Sequence, residues 1–116
     1  MDFPKSARVR TRREYLQFFN NSEVKRLGSC LIFRIPNQKG QARLGITVKS
    51  RTNSVLRNRI KRQIRESFRA HRGRMGAFDY NIVVPGQVKV SYQTSDKVRN
   101  NLERLWGPEA GNEIRF

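Results

Sequence analysis

Residues 57–69 read RNRIKRQIRESFR, a run that is at once one side of an amphipathic helix and a dense strip of cations. Leu56, Ile60, Ile64 and Phe68 recur at every fourth position, the spacing that lines one helical face and anchors it to a core. Asn58, Lys61, Arg62, Arg65 and Arg69 fall on the far side, while Arg57 and Arg59 flank the apolar stripe. From Lys49 to Arg74 there are ten Lys or Arg and one acid, Glu66, which reads as the i, i+4 mate of Arg62 or a partner of Arg69. With so little internal neutralisation, the chemistry this strip is suited to is the capture of phosphates.

Bond-breaking chemistry has no such support. His71 is the only histidine, and no Cys or His cluster has metal-ligand spacing. The nine acids are scattered, without the close pair that a two-metal nuclease requires. None of the eight glycines builds a phosphate-cradling loop. Cys30, the one cysteine, sits among apolar neighbours and reads as a small buried side chain.

The elements that must position the basic strip can be read in turn. Residues 1–11 form a basic arm carrying Lys5, Arg8 and Arg10, and lead into a short helix over 12–20 with Thr11 as its N-cap. Residues 30–35 and 42–49 are two strands, predicted to pair as an antiparallel hairpin across the loop NQKG. The long helix spans 54–72, capped by Thr52, Asn53 or Ser54 and closed at Gly73. A β-forming run at 80–84 follows, placed by the helical crossover parallel to another strand. Val98, Leu102, Leu105 and Trp106 mark a last helix with Ser95 as its candidate cap, and residues 109–116 read as a frayed end.

These elements make an α+β sandwich: a small mixed sheet, a long basic helix and two shorter helices, in one domain over 1–116. The strand at 30–35 is apolar on both faces, so both faces of the sheet need cover. The two longer helices supply one side, and the short aromatic helix is too small to close the other. A groove with Tyr15, Phe19 and Phe33 near its floor results, suited to stacking on unpaired bases. On periodicity alone the same rings serve equally well as ordinary core.

A formal charge of +16 and a pI near 11.5 point to nucleic acid as the partner, with an acidic membrane the weaker alternative. A hydrophobic content of 36% argues for a folded domain despite a mean hydropathy of -0.76. No apolar stretch approaches the roughly 20 residues that span a bilayer, and the N-terminal residues lack a signal-peptide core, so a cytoplasmic protein is expected.

The helix and its surroundings closely resemble the protein component of bacterial ribonuclease P. The resemblance rests on RLGITV at 43–48, VLRNRIKRQIRESFR at 55–69 and FDYNIVV at 78–84, and covers residues 8 to about 106. Arg57, Asn58, Arg59, Lys61, Arg62, Arg65 and Glu66 fall where that family's RNR motif places such residues. The resemblance implies a ribosomal protein S5-like sandwich with a left-handed β-α-β crossover, opposite to the general rule. It further implies that catalysis belongs to a partner RNA, whose magnesium ions hydrolyse one phosphodiester of precursor tRNA, the polypeptide alone being inactive. The RNR helix, with Arg69, would face the catalytic RNA. Tyr15, Phe19 and Phe33, with Arg8, Arg10 and Lys49 around them, would hold the single-stranded 5′ leader. No cofactor, membrane or DNA is expected for the protein itself. The connection KSRTNS at 49–54 departs from the family in lacking its usual glycine. A structural ribosomal-type RNA binder is the alternative, and a helix-turn-helix DNA binder is disfavoured by the flanking strands.

Overall fold

A computed structural model describes residues 5–19 and 22–107. The elements run in the order α1 (Arg12–Leu16), β1 (Glu23–Leu27), β2 (Cys30–Pro36), β3 (Arg43–Val48), α2 (Ser54–His71), β4 (Phe78–Val84) and α3 (Tyr92–Trp106). One four-stranded sheet has the order β1-β2-β4-β3, with β4 antiparallel to β2 and parallel to β3. The mixed sheet and the α+β class are as expected from the sequence.

The predicted pairing of 30–35 with 42–49 is not. β4 lies between those two strands, so they run in opposite directions without touching. The reason is burial: β4 is buried on both faces from Asp79 to Val84, and such a strand needs a neighbour on each edge. The hairpin in this sheet is instead β1–β2, whose first strand the sequence reading missed. It turns through Gly28 and Ser29, with Gly28 at φ 54°, a value that glycine adopts freely.

One face of the sheet carries α2 and α3. Ile60, Ile64 and Phe68 of α2 and Val98, Leu102 and Trp106 of α3 meet Ile32, Tyr80, Ile82 and Val84 there, all at most 1% exposed. Trp106 stacks edge-on against Phe68 and Tyr80, and its indole N–H donates to Ser67 Oγ at 2.9 Å. Asn53 caps α2, its side chain accepting from the Leu56 amide. Ser91, not Ser95, caps α3 in a reciprocal box with Thr94. Ser95 is buried inside that helix, where its hydroxyl donates to Tyr92 O.

The opposite face has a smaller cover. Residues 5–7 form a 3-10 turn, Arg8 bridges Leu44 in parallel, and buried Val9 joins Phe18 and Ile35 in a second cluster. The arm is thus docked on the sheet from Lys5 onward. Residues 1–4 of the arm, Asn20 at the end of the predicted first helix, and the frayed end expected at 109–116 lie outside the described residues.

Candidate nucleic-acid interface

Side chains alternate along a strand, so the register fixes which residues share the thinly covered face. Three rows result: Leu31, Val83 and Thr47; then Phe33, Asn81 and Gly45; then Ile35, Asp79 and Arg43. The first two rows floor a groove of about 640 Å³, walled by Tyr15, Phe18 and Phe19 and rimmed by Lys49 and Pro85–Gln87. Of the three aromatic residues in the 12–20 segment, Phe18 is the core residue. Phe19 is 82% exposed, and Tyr15 is partly buried. The ring of Tyr15 lies directly on β3. A Cβ at Gly45 would stand 2.8 Å from Tyr15 Cε1, so only glycine leaves room for it. Burial pushes the Tyr15 hydroxyl above its ordinary pKa.

A five-residue helix is too short to hold itself in place, and the third row shows what fixes it. Glu14 closes a capping box with Thr11 and reaches Arg43 Nη1 at 2.5 Å. Arg43 in turn forks onto Asp79 through Nε and Nη2, at 2.8 and 2.6 Å. Asn37 donates a further bond to Asp79 at 2.7 Å. Burial pushes the Glu14 carboxyl up, but the Arg10 and Thr11 amides and the Arg43 guanidinium outweigh it and hold the group down at about 2. An ionic chain rooted in the buried carboxylate of β4 therefore sets the position of the residue next to Tyr15.

Along α2, Asn58, Arg62, Arg65 and Arg69 are exposed and Lys61 is partly buried beside them, with Lys61 and Arg65 meeting Tyr15 in one notch. Arg57 turns inward, donating to Val48 O at 2.7 Å and Ser50 O at 3.0 Å. Ser50 is itself buried and bonded to Val88 O. These bonds hold the 49–54 connection that lacks the family's glycine, and so hold Lys49 at the groove rim. Arg59 lies over the Tyr92 ring and bonds Ser95 and Asp96 of α3. Glu66 pairs with Arg99 of α3 at 3.1 Å rather than with Arg62 or Arg69. The helix-helix packing draws it sideways, which intrahelical spacing could not reveal.

Of the residues assigned to the groove, the structure brings Tyr15, Phe19, Phe33 and Lys49 together. Arg8 lines an adjoining notch with Lys61 and Arg65, which meets the groove at Tyr15 and Ile46, and Arg10 lines a depression beyond α1. Leu31, Thr47, Asn81, Val83 and Gln87 were missed. Alternation would have found the first four once the strand order was known. Gln87 lies in a loop with no periodic signal.

Every acid among the described residues is already engaged: Glu14 and Asp79 by Arg43, Glu23 by Arg34, Glu66 by Arg99, Asp96 by Arg59 and Glu103 by His71. Burial pushes the Cys30 thiol up to about 12, so it is no nucleophile at neutral pH. What these residues offer is a basic helix face and an aromatic groove. No helix among the described residues is long and apolar enough to cross a membrane.

Known proteins with this combination are easily found. The family model for Ribonuclease P matches residues 3–108. The ribonuclease P protein component of Idiomarina loihiensis is 34% identical over 109 residues, covering 91% of this chain and 86% of the relative. That of Geotalea uraniireducens is 34% identical over 106 residues, covering 89% and 94%. The solved Staphylococcus aureus RNase P protein superposes with a TM-score of 0.70 at 26% identity, over 86% of this chain and 92% of that one. The chain therefore belongs to the ribonuclease P protein component family, the accessory subunits of an RNA-based endoribonuclease.

Proposed function

We propose that this subunit binds the catalytic RNA of ribonuclease P through the exposed face of α2 and holds the single-stranded 5′ leader of precursor tRNA in the aromatic groove. The single observation that carries the leader reading is Phe19, 82% exposed at the wall of an open 640 Å³ groove instead of sealed into a core. A ring in that position stacks on any unpaired base, and Lys49 at the rim supplies charge for the backbone. Asn58, Lys61, Arg62, Arg65 and Arg69 take the catalytic RNA, with Arg57 and Arg59 bracing the helix that presents them. Hydrolysis and its magnesium ions reside with the RNA, since the described carboxylates are each held by an arginine or histidine. The polypeptide alone is inactive and works in the cytoplasm. A ribosomal-type structural role is disfavoured by the family membership.

The test uses the assembled holoenzyme and precursor tRNAs with long and very short leaders. Phe19→Ala should weaken binding of the long-leader substrate by about 1–3 kcal/mol and leave the short-leader substrate unaffected. Equal loss for both substrates would remove the leader from the groove.

A further inference from the structure

The floor of the aromatic groove holds one pair of side chains that stacking does not use. Leu31, Phe33 and Val83 are apolar, and Gly45 gives its space to Tyr15. Asn81 and Thr47 break that pattern, diagonal to one another across the β3–β4 ladder. Asn81 is only 8% exposed, in the middle of a buried strand. Asparagine is a poor strand former, and burying its carboxamide costs stability that valine in the same place would not. A residue that departs from the local rules without strengthening the fold marks a functional position.

The hydrogen bonds determine which half of the carboxamide is available. The Thr47 hydroxyl donates to Asn81 Oδ1 at 3.3 Å. Among the described residues that is the one bond the Asn81 side chain makes, so its amide N–H groups have no protein partner. The nitrogen is not sealed in and opens on the groove. In register, Asn81 lies between Phe33 on β2 and Gly45 on β3, and the Tyr15 ring covers Gly45. The two outer positions stand on the order of 10 Å apart, two strand spacings. A ring is thus present on each side of the amide, and a base lying against either one turns an edge toward Asn81.

We infer that Asn81, oriented by Thr47, reads one base of the leader and favours uracil or guanine there. The inference rests on the leader reading given above and adds a selective contact to it. The groups turned to the groove are donors, so they pair with an exocyclic carbonyl oxygen, O4 of uracil or O6 of guanine. Adenine and cytosine carry an amino group at the same place, and two donors set face to face leave both unpaired. Phe19 stacks on any base, whereas Asn81 discriminates. The groove therefore holds the leader along its wall and inspects it at one point on its floor.

The test is competitive cleavage, by the assembled holoenzyme, of a precursor tRNA pool with a randomised leader, the early product being sequenced. The unaltered protein should favour uracil or guanine about 2- to 10-fold at one leader position, the discrimination that a single hydrogen bond provides. Asn81→Val should make that position indifferent, with a melting temperature no lower than that of the unaltered protein. Should the valine variant fail to fold, Asn81→Asp keeps the shape while its ionised carboxylate offers only acceptors, and it must turn the preference toward adenine or cytosine. Phe19→Ala is run alongside on the long- and short-leader substrates. Suppose that it weakens only the long-leader substrate, while the base preference is absent from the unaltered protein, survives Asn81→Val or falls on adenine or cytosine. Base reading by Asn81 is then overturned and the groove is spared. Equal treatment of both leaders by Phe19→Ala, together with a preference untouched by the Asn81 variants, overturns the two together.

Discussion

The two faces of the sheet carry the same kinds of residue to opposite ends. On one, Phe68 is fully buried between Tyr80 and Trp106. On the other, Phe19 stands 82% exposed over Leu31 and Val83. The difference lies in cover. α2 and α3 supply eighteen and fifteen residues to the first face, whereas the second has an eight-residue segment, α1 and its 3-10 extension, and the docked arm. Stability is concentrated where cover is complete, and the apolar surface left over on the other side is available for a ligand. A helix long enough to complete that face would have filled the groove.

The largest effect that would sharpen this contrast comes from Phe68→Ala. Truncating it empties the middle of an aromatic cluster and should cost about 3–5 kcal/mol, a fall in melting temperature on the order of 10–20 °C. Phe19→Ala, the same chemical change on the other face, should stay within about 0.5 kcal/mol of the unaltered protein by denaturant titration. Similar losses for both would mean that the second face is core after all.

An intermediate effect is expected along α2. Arg62→Ala and Arg65→Ala should each flatten the salt dependence of catalytic-RNA binding by about 0.7–0.9 in log-log slope, with the melt unchanged. Arg57→Ala should behave differently. Its guanidinium holds Val48 O and Ser50 O, so its loss should appear chiefly in stability and in the aim of Lys49. A salt slope altered by Arg57→Ala as much as by Arg62→Ala, with no change in melt, would show that Arg57 faces the RNA directly.

The smallest effect concerns pH. The Glu14 carboxyl, ordinarily near 4.5, is held at about 2 by the Arg10 and Thr11 amides and by Arg43. A depressed carboxylate stabilises the fold fully above its unfolded value and loses that contribution as pH falls through the folded one. The melting-temperature gap between the unaltered protein and Glu14→Gln should thus be widest above about pH 4.5 and close as pH falls toward 2. A gap independent of pH would mean that Glu14 acts only by its size.

Local features were legible in the sequence to the extent that they depend on local chemistry. The every-fourth-residue stripe of α2 placed Ile60, Ile64 and Phe68 in the core correctly, and Thr11 and Asn53 were both among the named caps. The crowding of Tyr15, Phe18 and Phe19 on a short segment signalled that some ring would stay out of the core. Strand order was not legible, because nothing within 30–49 reports that a strand beginning at Phe78 inserts between its halves. That error hid Asn81 and Val83 from the groove. The ion pairs of Glu14 and Glu66 join residues 29 and 33 positions away, beyond the reach of helical spacing. β1 was missed because Glu23–Leu27 reads EVKRL, with Val24 the one strong β-former among three charged residues, which left Gly28-Ser29 as the only hairpin signal.

Proximity of the leader to the groove can be measured without relying on an energy difference. Gln87 lies exposed on the groove rim, and the sole native thiol, Cys30, is buried with its pKa pushed up to about 12. A Gln87→Cys variant can therefore be labelled at one place with a photoreactive group, assembled with the catalytic RNA and irradiated with bound precursor tRNA. The account predicts crosslinks to leader nucleotides that disappear when the leader is shortened to a stub. Crosslinks only to the catalytic RNA or to the mature part of the tRNA, with the leader untouched, would contradict it.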